Sequence, residues 1–69
     1  MRTHYVLFCT ENNRFFNMED NRYSFVVEYL KAKHFETKDK AVEFLSNEIA
    51  NIKKETGVHH FTTREYFST

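Results

Sequence analysis

The chain has no proline, no tryptophan, one glycine and one cysteine among 69 residues. Each scarcity removes a class of protein. Without proline, and with Gly57 alone, there is no linker-like or low-complexity stretch, and no glycine-rich loop that could cradle a phosphate. With Cys9 unpaired, a disulfide-stapled secreted scaffold is disfavoured and a reducing compartment is expected. Charge of one sign is lacking too. Ten Lys and Arg balance ten Asp and Glu, so the chain has no overall positive field of the kind that dominates nucleic-acid affinity. No apolar run approaches the ~18 residues of a membrane span, and Met1-Arg2-Thr3-His4 lacks the apolar core of a signal peptide. The expected location is cytoplasmic, away from membranes.

What remains is small and aromatic. A mass of 8.4 kDa suits a single domain over residues 1–69. At this size folding buries only about 60% of the surface that the unfolded chain exposes, so the core is thin. Such a core can hardly line a cofactor pocket of several hundred Å³, and neither a cofactor nor enzymatic activity is expected. Eight Phe and four Tyr mean either a core made of a few large rings or rings that face a partner.

The clearest element is a helix over 37–56. Ala41, Leu45, Ile49 and Ile52, flanked by Phe44 and Val42, fall on one broad helical stripe. Thr37 is placed to cap the first turn, Asp39 to meet the positive end of the helix dipole, and Lys53 and Lys54 to meet the negative end. Gly57 supplies the left-handed residue that terminates many helices.

The rest reads as strands. Residues 3–10 are β-branched and aromatic, Glu11-Asn12-Asn13 turns, and Arg14 to Asn17 returns as a hairpin partner. Residues 18–22 read as a loop. Residues 23–30 alternate Tyr23, Phe25, Val27 and Tyr29, which predicts a third strand, with a helix as the alternative. Residues 58–67 predict a last strand. The expected fold is α+β: a small antiparallel sheet in the order β-β-β-α-β, with the one helix packed on one face. The first strand, apolar on both faces, should be central. A single helix covers one face, so the other must be solvated, aromatic, or buried against another molecule.

Few residues suggest chemistry. His4, His34, His59, His60 and Cys9 suffice in number for zinc, but no C-x-x-C or H-x-x-x-H pair exists. His59 and His60, adjacent on an expected strand, should point to opposite faces. No metal and no catalytic residue are expected. Cys9, mid-strand on an apolar face, is expected to be an inert thiol. Glu48 falls inside the helical stripe, where it must bond a Tyr hydroxyl or His, lie at an edge, or orient a residue such as Arg14.

The segment Lys31-Ala32-Lys33-His34-Phe35-Glu36-Thr37-Lys38-Asp39-Lys40-Ala41-Val42-Glu43-Phe44-Leu45 resembles a pattern in short accessory proteins of tailed bacteriophages. There, "Ala-Lys-x-Phe-x-Thr-Lys-x-x-Ala-x-x-Phe" closes a small sheet and opens a capped helix. The resemblance implies a protein that binds and inhibits or redirects a host protein, including a host defence system. It carries over no functional residue.

The leading expectation is therefore a non-enzymatic binding protein with aromatic anchors. The candidates are Phe15, Phe16, Tyr23, Tyr29 and Tyr66, with Arg64 as their polar companion. Homodimerisation through the uncovered face would meet the same burial need. The alternative is a small nucleic-acid-binding regulator, in which sheet aromatics stack bases and Arg2, Arg14, Arg22 and Arg64 meet phosphates. That alternative requires Arg14, Arg22 and Arg64 to share a face.

Overall fold

The computed structural model describes residues 2–68, with side chains from residue 3 to residue 67. Strand β1 (Arg2–Cys9) is followed by β2 (Arg14–Glu19) and β3 (Arg22–Val26), then helix α1 (Lys38–Thr56) and strand β4 (Phe61–Ser68). The sheet is antiparallel in the order β3-β2-β1-β4, and α1 packs on one face. The α+β architecture is the expected one. Strand β1 is interior, with Val6, Leu7 and Cys9 fully buried, because each of its faces meets a different half of the core. No helix among the described residues is long and apolar enough to cross a membrane.

Helix α1 forms where its ends and its stripe agree. The Thr37 hydroxyl accepts the Lys40 N–H at 3.1 Å. At the other end Gly57 is left-handed (φ 78°) and its N–H reaches the Lys53 carbonyl. Asp39 lies in the first turn and Lys53 and Lys54 in the last, matching the dipole. Ala41 and Ile52 are fully buried, Phe44, Leu45 and Ile49 half-buried. Val42 is 45% exposed and lies outside the packed stripe.

Three boundaries differ from the sequence pattern. The expected loop over 18–22 contracts to Asp20 and Asn21, which adopt φ 51° and 60° between the paired residues Glu19 and Arg22. This is the two-residue hairpin geometry whose twist matches that of its strands. The third strand stops at Val26 because its partner β2 runs out one residue past Phe15 (paired with Val26), and Tyr29–Lys31 form a single 3₁₀ turn. The last strand begins at Phe61, since Val58 to His60 first turn around Glu11.

The second sheet face is where the structure adds most. Strands β1 and β2 are paired only at Phe8↔Phe15 and Cys9↔Arg14, and then diverge. Residues 33–35 fill the gap. The Lys33 N–H donates to the Phe16 carbonyl, and Phe35 exchanges two backbone hydrogen bonds with Tyr5, at 2.9 and 2.8 Å. Upstream, Ala32 and Tyr29 pack with Val6, Phe8 and Phe15 on the face away from α1. Downstream, Phe35 packs with Leu7, Phe16, Ala41 and Ile52 under α1. The chain thus crosses the sheet through the gap between two strands. The far face is accordingly not left bare, as one helix alone would leave it. The chain's own Tyr29 and Ala32 cover part of it.

Candidate protein-docking face

Register assigns the faces. Side chains directly opposite in an antiparallel pair share a face, so Val6↔Arg64, His4↔Tyr66 and Phe8↔Phe15 put Arg64, Tyr66 and Phe15 on the far face with Val6 and Phe8. Tyr29 and Ala32 pack over them. The Tyr29 ring stacks on Tyr66 with centroids 4.1 Å apart and planes 5° off parallel. The His34 Nε2 lies 2.8 Å from the Tyr29 carbonyl; a carbonyl only accepts, so this nitrogen carries the proton. The bond fixes the imidazole nearly parallel to the Tyr29 ring and beside His4. The Arg64 guanidinium sits 3.8 Å from the Phe8 ring centroid, a cation–π contact of about 0.5–1 kcal/mol when exposed. Val27 and Leu30, close to Tyr29 in the chain, are 68% and 70% exposed.

Of the six anchors expected from sequence, four therefore share this face: Tyr29, Arg64 and Tyr66, each with exposed surface, and Phe15, which is buried in the far-face cluster and packs it rather than facing a partner. Two do not. Phe16 is fully buried under α1, where its ring meets Tyr23, Phe25, Phe44 and Phe61. It builds the core and presents nothing to a partner. Tyr23 packs beside it on the helix side, its hydroxyl donating to Glu48 Oε2 at 2.8 Å. That bond also settles Glu48, which accepts in addition from the Asn51 amide rather than orienting Arg14. With its proton held by a carboxylate, the Tyr23 phenol ionises above its ordinary value of 10.0. Tyr5 is raised in the same sense by its hydrogen bond to Glu65.

The arginines do not converge. Arg14 pairs with Cys9 on the helix-facing side, while Arg22 and Arg64 both fall on the far face but on opposite edge strands, β3 and β4. The Arg2 side chain lies outside the described residues.

At the end of the sheet where β1 turns into β2, the structure corrects the reading of His59 and His60. They precede β4 rather than lying in it, so strand alternation does not separate them. Their rings are 4.1 Å apart, centroid to centroid. Glu11 Oε1 accepts both backbone N–H groups, each at 3.0 Å, and lies 3.6 Å from His59 Nδ1. The two N–H donors, that of His59 foremost, hold the Glu11 carboxyl below its ordinary range. A sequence signal existed in the acidic turn residue and the paired histidines, but the assumed strand start masked it. Leu30, expected within the third strand, is instead an exposed residue of a 3₁₀ turn.

No protein-family model, curated protein or solved structure matches the chain.

Proposed function

We propose that the chain is a non-enzymatic binding protein that docks on another protein through its far face. The observation that carries this reading is the pairing of a rigid aromatic platform, Tyr29 stacked on Tyr66, with two strongly exposed aliphatic neighbours, Val27 and Leu30. Tyrosine and arginine are the residue types that most often dominate interface energy, because they bury large area at low entropic cost and keep a polar handle. Arg64, held on the Phe8 ring, supplies that second type on the same face. The resemblance of residues 31–45 to phage accessory proteins favours a host protein as the partner, inhibited or redirected by occupation of its surface.

The test is capture of partners from bacterial lysate with tagged protein, with and without nuclease. The reading predicts one protein recovered in stoichiometric amount and resistant to nuclease. Recovery that vanishes with nuclease contradicts it and assigns the chain to nucleic acid. A second copy of the chain is the other occupant that would bury this face. Sedimentation that shifts with concentration would show it, and a monomer at every concentration leaves the face to a different protein.

A further inference from the structure

We propose that Glu11, His59 and His60 form a binding site for a single zinc ion. One carboxylate oxygen and one nitrogen of each imidazole lie within 4.8 Å of one another. Tetrahedral coordination with zinc–ligand distances of about 2.0–2.2 Å needs donors roughly 3.4 Å apart. The ligands must therefore draw together by about 1.4 Å, which torsion changes in side chains can supply. All three residues are exposed, so little packing opposes that movement.

The chemistry suits zinc better than a hard cation. Two imidazoles and a carboxylate form a borderline donor set, whereas magnesium and calcium demand mostly oxygen. Three protein ligands leave a fourth position open to water. The carboxylate is also pre-positioned. Both backbone N–H bonds fall on Oε1, and Oε2 takes part in neither, so one oxygen can meet the ion while the other keeps its place. This is the kind of outer support that orients ligands in metal sites.

The placement gives the site a consequence. Glu11 lies in the β1–β2 turn and is 48 and 49 residues from the two histidines, which lie in the α1–β4 connection. A bound ion would tie these two connections together at one end of the sheet. In a domain too small for a thick core, such a tie stabilises the folded state.

The test is calorimetric titration of the untagged, metal-free chain with zinc chloride, alongside thermal unfolding. One ion per chain is expected, and at a hundredfold excess over Kd the Tm should rise by roughly 10–20 °C. His60→Ala keeps the backbone N–H that holds Glu11 but removes a ligand, and should weaken zinc binding by tenfold or more. His34→Ala, which removes the imidazole beside Tyr29, should leave it unchanged. Side-chain nitrogen shifts of His59 and His60 on zinc addition give a readout that needs no variant. Failure to bind zinc below millimolar concentration, equal affinity in His60→Ala, or loss in His34→Ala would each overturn the proposal.

Discussion

Phe16 is the residue on which the most rings converge. Four aromatic neighbours surround it, and none of its surface reaches solvent. Truncating such a ring removes its transfer energy and leaves a cavity, a loss of about 3–5 kcal/mol. A domain of 69 residues holds on the order of 3–10 kcal/mol in total. Phe16→Ala should therefore lose a third or more of the total stability, a large fall in denaturant midpoint that circular dichroism would show. Tyr23, next to it, predicts a pH dependence. Its folded phenol ionises above 10.0 because it donates to Glu48, so the bond stabilises the fold at all pH values below the ordinary tyrosine value. The contribution is lost as pH rises through the raised folded value. Spectrophotometric titration should show a late-ionising tyrosine that Tyr23→Phe removes, and that variant should lose less of its own stability on going alkaline than the parent does.

At the scale of elements, α1 and its caps offer the cleanest measurements. Thr37→Ala removes the one side-chain acceptor at the helix start and should cost about 1 kcal/mol. A Cβ at Gly57 would meet nothing within 4 Å, so Gly57→Ala isolates the backbone cost of φ 78°, about 1–2 kcal/mol. Both follow from denaturant midpoints. The turn at Asp20 and Asn21, with both φ positive, predicts the opposite sign: Asn21→Gly should raise the midpoint, since glycine takes that conformation without a Cβ penalty. These features also mark what was legible in the sequence. The helix was readable because periodicity, cap, charges and terminator all agree locally, from Thr37 to Gly57. The central position of β1 was readable because Val6 and Phe8 on one side and Leu7 and Cys9 on the other are all apolar. The course of residues 27–35 was not. Alternation from Tyr23 to Tyr29 has the same period whether or not a neighbouring strand exists, and β2 supplies a partner only as far as its own length. The crossing between β1 and β2 depends on Lys33 and Phe35 bonding to Phe16 and Tyr5, contacts between residues distant in sequence that no local pattern encodes. The anchors divide in the same way, since Phe15 and Phe16 look alike in sequence and their register alone puts one on each face.

For the molecule as a whole, the two faces have unequal roles. The side under α1 is filled by a contiguous cluster from Tyr5 to Phe61. The far side holds a smaller cluster that Tyr29 and Ala32 cover, and the residues beside Tyr29 in the chain include exposed Val27 and Leu30. The docking reading rests on that asymmetry. Exposed apolar residues exist on both sides, which makes the claim separable from general stickiness. Leu30→Asp alters an exposed residue next to Tyr29, while Val42→Asp alters an exposed position on α1, and neither removes a buried contact, so both variants should fold with nearly parental stability. The most direct measurement is the amount of nuclease-resistant partner captured from lysate by the parent and by each of these two variants. The account predicts that Leu30→Asp loses most of the partner while Val42→Asp keeps it. Full capture by Leu30→Asp, or loss confined to Val42→Asp, would contradict it.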